Sequence, residues 1–390
     1  MRFFQFLIFF FGFSVLHSQT IAGKIQTESG SAISEVNVYL DGTKISTVSM
    51  TDGSFQLDVQ GQKSGNLIFQ KDNYETSIFP LDKAVGKSVK VIINPQKEIE
   101  EVVIIPYTEQ AYKDFINFFL DKFIGFDRED VKIKNQRTLK FSYDKKNQFL
   151  KVKAPQTLII ENKKLGYTIQ YNLINFQADF KQKSTSYLGT SFFKDHSVRK
   201  EIILNRMNAY KGSMMHFLRS LYASELEKEG FIVNHARRIK NPAYPTEAEL
   251  QTLNDHFEIV KMQKNATLPW TDELEAISQK TSKNTEFVMA ILKTKMKESE
   301  FTTRKDDRLF LDFEDLLMVN YQKYYYEIKK SEFVKSAGVV TQSSIIHPEA
   351  MAFEIFKEGI SSEPDQLILE GDFSRQNISK MLPLDYQFGN

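Results

Sequence analysis

Two stretches decide how the first part of this chain is read: Val36-Asn-Val-Tyr-Leu40-Asp41-Gly42, and Thr51-Asp52-Gly53-Ser54-Phe55-Gln56-Leu57-Asp58-Val59. Val36, Val38 and Leu40 alternate with their neighbours, as do Phe55, Leu57 and Val59. Each run adjoins an Asp-Gly pair, and apolar alternation beside Asp-Gly is a strong short-range hairpin signal because both residues tolerate the positive φ of a tight turn. Further out, Leu67-Ile68-Phe69 and Val89 to Ile93 read as additional strands. Many short strands punctuated by turns from Ile21 to about Asn94 predict an antiparallel sandwich.

Residues 1–18 precede this pattern and read as a secretory signal. Arg2 is the positive start, Phe3 to Leu16 the apolar run, and Ser18 a small residue suited to cleavage before Gln19. No later stretch reaches the roughly 18 uninterrupted apolar residues of a spanning helix, so no transmembrane span is expected after signal cleavage. The expected location is the periplasm, the outer-membrane periphery or the exterior. The chain has no cysteine, which excludes disulfides and cysteine-ligated metal. Its 51 basic and 50 acidic residues nearly balance, and Arg2 is the only charged residue in the signal, so nothing points to nucleic acid as a partner. A composition of 41% hydrophobic and 26% charged residues over 390 positions is that of a folded chain of two or three domains.

Taken together, Ile21-Ala-Gly-Lys-Ile25, Ala32-Ile33, Val36 to Leu40, Thr51-Asp-Gly-Ser-Phe55 and Asn73-Tyr74 resemble the carboxypeptidase regulatory-like module of bacterial envelope proteins. The resemblance covers roughly residues 20–94 and implies a transthyretin-like fold with no catalytic residues of its own. Asn73 stands where that family usually has glycine. Asparagine also tolerates left-handed φ, so the turn is expected to survive. Several later segments, among them Leu165-Gly-Tyr-Thr-Ile-Gln-Tyr171, Ala209-Tyr-Lys-Gly-Ser213, His216-Phe-Leu-Arg-Ser-Leu221 and Glu229-Gly-Phe231, resemble a wider group of exported proteins with the same N-terminal module. That likeness implies a common architecture and no particular chemistry. Ile99 to Ile105 resembles the segment leading out of the module in outer-membrane receptors. The ten-residue alternating strands of a barrel do not come after it.

Beyond residue 106 helices and strands mix. Tyr112, Phe115, Phe119 and Phe123 recur at helical spacing, predicting a helix over 107–124. Strands are expected at Thr138 to Tyr143 and Phe149 to Lys153 around a turn at Asp144–Asn147, and again from Tyr167 to Phe176. Residues 198–229 carry the longest helical stripe: Ile203, Met207, Tyr210, Met214, Phe217 and Leu221, ended by Gly230. Short helices are expected at Thr246 to Leu253 and Asp272 to Lys280, with strands at Arg308 to Phe313 and Leu316 to Ile328. The expected fold is α+β and multidomain. A seven-stranded transthyretin-like β-sandwich spans 19–94, and a linker spans 95–106. A larger mixed α+β region occupies 107–390, with one long central helix and a subdivision near 240.

The motifs of common hydrolases are missing. There is no His-Glu-x-x-His and no Gly-x-Ser-x-Gly. Ser-x-x-Lys spacings at Ser142/Lys145, Ser191/Lys194 and Ser197/Lys200, and Lys63-Ser64-Gly65, are of the kind a lysine-rich chain produces by chance. No metal or cofactor is implied. One face of the long helix would carry Asn205, Ala209, Gly212, His216, Ser220 and Ala223, with Arg219 beside them. His216, Arg219 and Asn205 are the candidate site residues, for anion binding or proton transfer. The competing expectation, which leads, is close packing against small residues with His216 hydrogen-bonded inside the contact. Tyr321 and Tyr324 to Tyr326 suggest an aromatic surface for sugar or peptide, or half-buried strand residues. The expectation is an exported, non-enzymatic protein that binds an envelope protein, peptide or glycan. A hydrolase of unrecognised type with its site on the 198–229 helix is the alternative.

Overall fold

The computed structural model describes residues 20–62, 64–96, 105–125, 128–196, 199–262, 268–348, 352–363 and 367–389. The expected signal peptide, its cleavage point and residues 97–104 of the expected linker lie outside the described residues. The chain divides into two units: one runs to Tyr210 and takes in Tyr326–Phe333 and the stretch from Gln376, and the other holds Lys211–Tyr325 and Val334–Arg375.

In the first unit the alternating runs become strands β1 (Thr20–Gln26), β2 (Asn37–Leu40), β3 (Ser46–Val48), β4 (Ser54–Asp58), β5 (Asn66–Gln70), β6 (Ser77–Pro80) and β7 (Ser88–Ile92), with a single turn of helix, α1 (Leu81–Ala84), before the last. They form two sheets, β4-β1-β7 and β3-β2-β5-β6. Val38, Leu40 and Phe69 from one sheet and Ile21, Phe55 and Leu57 from the other share one buried core. Each large side chain so buried is worth roughly 1.5–3 kcal/mol, which is what holds sheets this small together. The Asp52-Gly53 turn does not close a hairpin within one sheet: it carries the chain from β3 in one sheet to β4 in the other. Gly53 takes φ +78° there, and a Cβ on it would lie 2.4 Å from the Ile25 carbonyl oxygen, so only glycine fits. Asn73 takes φ +65°, as its side chain permits.

Strands β2 and β5 are buried on both faces, against the half-exposed pattern of a free sandwich. The reason lies further along the chain. After helix α2 (Glu109–Phe123) come β8 (Val131–Ile133), β9 (Lys140–Asp144), β10 (Phe149–Lys153), β11 (Leu158–Asn162), β12 (Tyr167–Asp179), β13 (Ser184–Asp195) and α3 (Lys200–Tyr210). Tyr39 and Ile68 on the outer face of the first double sheet form a second buried cluster with Phe192 of β13. The Tyr39 hydroxyl meets Thr190 Oγ1 at 3.0 Å, and the Asp41 carboxylate accepts the Ser191 N–H at 2.8 Å. The turn after β2 is therefore docked on β13, and residues 20–94 belong to the same unit as α2, strands β8 to β13 and α3.

Strand β12 is the spine of the second sheet. Its first half pairs with β11, its second half with β10, and β13 runs along its whole other edge. A register shift between Leu173 and Asn175 falls where the partner changes from β11 to β10, as expected of a bulge relieving a change of pairing. Helix α2 starts at Thr108, whose side chain accepts the Ala111 N–H. It lays Phe119 and Phe123 onto this sheet, with ring contacts to Phe141, Phe176 and Tyr171.

The second unit contains α4 (Met214–Tyr222), β14 (Phe231–Lys240), α5 (Glu247–Met262), α6 (Asp272–Lys283), β15 (Phe287–Lys293), β16 (Thr302–Lys305), β17 (Arg308–Leu311), β20 (Phe353–Ile355) and β21 (Leu369–Gly371); β18 (Leu316–Lys329) and β19 (Glu332–Ile346) precede β20 and have their greater part here. The sheets are β15-β14-β18-β19-β21 and β16-β17-β20. Phe217 and Leu221 of α4 pack with Phe231, Leu309, Leu317 and Phe353 to make the core. Position 240 is the last residue of β14.

The long helix expected over 198–229 is two helices. Helix α3 ends at Tyr210 and α4 begins at Met214. Gly212 between them takes φ +76°, and Ser213 caps α4 by accepting the His216 N–H. A Cβ on Gly212 would lie 2.2 Å from Gln342 Oε1 and 2.6 Å from the Tyr321 ring, so the break is held by close packing as well as by the turn. The apolar stripe hides this, because Tyr210 and Met214 keep helical spacing across the break. After Tyr222 the chain turns through Ser224, and Gly230 opens β14 rather than ending a helix. The architecture is mixed and strand-rich, within the α+β class.

Candidate functional site

The break between α3 and α4 separates the residues that a single helix would have aligned. Asn205 lies on α3 in the first unit, where its Nδ2 donates to the Lys164 carbonyl at 3.0 Å. His216 and Arg219 lie on α4 in the second unit. Ala209 and Ser220 fall on either side of the break in the same way. The polar face expected from helical spacing does not form.

What forms instead is a closed cluster around His216. Its side chain is 1% exposed and sits against the rings of Phe231 and Tyr321. The Gly212 N–H donates to Nδ1 at 3.1 Å, which assigns the ring proton to Nε2. Nε2 donates to Glu229 Oε2 at 2.9 Å, and Lys211 Nζ donates to the same oxygen at 2.6 Å. Burial, with the Lys211 cation beside the ring, pushes the imidazole down to about 4, so it is neutral at physiological pH. Burial pulls the Glu229 carboxyl upward, but the hydrogen bonds from Lys211 and His216 win and hold it at about 2. A general base needs a free nitrogen facing a substrate. Here Nδ1 is filled by a backbone N–H and Nε2 by a carboxylate.

The cluster has a mechanical role. The loop residues Lys211 and Gly212, the first turn of α4 and Glu229 just before β14 meet through one imidazole and one carboxylate. Those hydrogen bonds brace the chain where it leaves helical geometry at Gly212. Arg219 points elsewhere, its Nε donating to the Glu358 carbonyl at 3.0 Å.

Two more histidines of the second unit meet carboxylates that an arginine also holds. His235 pairs with Asp315 alongside Arg237, and His347 with Glu370 alongside Arg238. Both groups are more exposed than His216. In the first unit Arg206, 3% exposed at its side chain, pairs with Asp195 at 2.6 Å and lies 3.9 Å above the Tyr167 ring. Sequence reasoning passed over Lys211, Glu229 and Arg206. Lys211 and Glu229 belong to Ala209-Tyr-Lys-Gly-Ser213 and Glu229-Gly-Phe231, but nothing in their spacing pairs them with His216.

Of the serine–lysine spacings, Ser197 and Lys63 lie outside the described residues, and neither Ser142 nor Ser191 is hydrogen-bonded to its lysine. Ser142 Oγ donates to the Ile105 carbonyl, and Lys194 Nζ lies over the Phe192 ring. The tyrosine run does not make one aromatic surface either. Tyr321 is buried beside His216, Tyr324 packs on the core of the second unit, and Tyr326 meets Phe388 in the first. Among the described residues no three His, Asp or Glu side chains are grouped to hold a metal ion, and no helix is long and apolar enough to cross a membrane.

No protein-family model matches this chain, and no curated protein matches it.

Proposed function

We propose that this chain is an exported protein of the bacterial cell envelope that acts by binding or scaffolding rather than by hydrolysis. The observation that carries the choice is the closure of His216, whose two ring nitrogens are both engaged inside the protein. An acid–base residue so enclosed has no route to a substrate proton. The N-terminal part supports the envelope reading. Its two small sheets share one core, and its Asp-Gly turn and the positive φ of Asn73 fit the regulatory-like module that its sequence resembles, for which the transthyretin-like sandwich is our assignment.

The partner is an envelope protein, a peptide or a glycan. Purification of the tagged full-length protein from native envelopes, with mass spectrometry of the eluate, tests this. The expected result is an N-terminus near Gln19 and a partner retained through washing. A protein found only in the cytoplasm with Met1 intact would overturn the reading. So would hydrolytic turnover of envelope material that Glu229→Gln abolishes.

A further inference from the structure

A cleft of about 560 Å³ opens in the second unit beside the end of α4. Its size is within the range of small-molecule sites. Leu221 and Leu309 lie beneath it, but each is only 1% exposed, so they show the cleft almost no apolar surface. Its rim is polar and mixed in charge. Lys297 Nζ lies within 4 Å of no carboxylate among the described residues, although its charge helps to hold the Glu300 carboxyl below its ordinary value. Arg304 directs one guanidinium nitrogen to the Tyr222 carbonyl and the Ser224 hydroxyl. Ser224 holds a left-handed φ of +57°, unusual for serine, and this turn brings its hydroxyl to the rim. Ser299 adds a second hydroxyl, and Glu298 a carboxylate.

We propose that this cleft binds a saccharide carrying an anionic group. Two cations on one rim fit a phosphate or carboxylate, and a guanidinium can grip either through paired hydrogen bonds. Glu298 repels a bare anion but accepts hydrogen bonds from sugar hydroxyls. The serine hydroxyls donate or accept as the sugar requires. Inorganic phosphate meets the cations and the Glu298 repulsion together, and a neutral sugar leaves the cations unused. Only the combined ligand satisfies the whole rim.

The proposal narrows the binding role above to a ligand class and rests on it. Isothermal titration of the full chain with glucose 6-phosphate, glucuronate, glucose and inorganic phosphate tests it. Glucose 6-phosphate and glucuronate should each bind at least about tenfold more tightly than glucose or phosphate. Lys297→Gln, which breaks no close ion pair, should weaken both by about tenfold, and so should Arg304→Gln if it folds. Glu298→Gln should raise the affinity for inorganic phosphate. Lys305→Gln, outside the cleft, should bind like the parent. The site is overturned if none of the four ligands binds, if Lys297→Gln binds like the parent, or if inorganic phosphate binds as tightly as glucose 6-phosphate. Release of phosphate from glucose 6-phosphate would instead overturn the non-hydrolytic reading while leaving the site in place.

Discussion

Gly53 and Gly212 hold nearly the same φ, +78° and +76°, in two regions with very different sequence signatures. Gly53 comes after an aspartate and precedes an alternating strand, so its neighbours announce the turn. Gly212 sits in a stripe of helical spacing that runs straight through it. The Gly53 turn is announced by its own neighbours, although the Ile25 carbonyl also packs against it. The Gly212 turn depends on contacts with Tyr321 and Gln342, more than a hundred positions away, and on a histidine that reaches back to the Gly212 N–H. Helical periodicity reports which side chains face a core. It does not report whether the backbone between them stays helical.

The largest effect that sharpens this contrast is expected at Phe217. It is fully buried where α4 meets both sheets of the second unit. Phe217→Ala should cost ~3–5 kcal/mol, read from the shift of a urea unfolding transition. A loss below about 1 kcal/mol would mean that α4 does not organise its unit. Next comes the glycine itself. Gly212→Ala places a Cβ in left-handed backbone and inside contact distance of Tyr321, for a cost of roughly 2–4 kcal/mol. Gly86, at φ +73° with nothing within 4 Å of a new Cβ, isolates the backbone part. Gly86→Ala should cost only about 1–2 kcal/mol. Equal losses at the two glycines would show that the break needs no tertiary support.

The same contrast explains what was legible. Strands β2, β4, β5, β7, β9, β10, β12, β17 and β18, the turn at Asp144–Asn147 and helices α2 and α6 lie within a few residues of where their pattern puts them, because each is signalled locally; α5 starts as expected but runs on to Met262, well past the expected end at Leu253. The both-faced burial of β2 and β5 was not legible, since Tyr39 and Ile68 look like the outer residues of an ordinary alternating strand until Phe192 covers them. Of the candidate site, His216 was found but its partners were not. Lys211 and Glu229 come together only because the helix breaks between Lys211 and Met214. Asn205 was lost for the same reason.

The two regions should also respond to pH with opposite signs. His216 is held at about 4, below its ordinary 6.5, because the buried ring resists protonation. The unfolded chain therefore takes up this proton first as pH falls. The stability due to neutral His216 is complete above about 6.5 and is lost as pH drops toward 4. Asp41 is pushed up by burial to about 6 from 3.8, so its contribution is complete below about 3.8 and lost as pH rises through 6. Urea midpoints of parent, His216→Gln and Asp41→Asn at pH 4 and 7 separate the two. Relative to the parent, His216→Gln should fare better at pH 4 than at 7, and Asp41→Asn better at 7 than at 4. The same sign for both variants would refute one of the two burial environments.

The smallest effect tests the N-terminal resemblance at its one departure. Asn73 holds φ +65°, and its carbonyl accepts the Gln96 N–H at 2.8 Å, so the turn must keep its left-handed form to hold that bond. Glycine relieves the modest strain that asparagine bears there, but it also loosens the unfolded chain, and the two terms oppose each other. Asn73→Gly should therefore change stability by less than about 0.5 kcal/mol. Asn73→Ala, which keeps the Cβ and loses the local polar compensation, should cost about 1 kcal/mol. If alanine proves as neutral as glycine, the turn does not depend on left-handed tolerance, and Asn73 ceases to support the likeness to the regulatory-like module. If glycine instead stabilises by well over 1 kcal/mol, the asparagine is under strain that the packing of this region imposes. The first double sheet would then share the property that marks Gly212, a turn set by distant contacts rather than by its own residues.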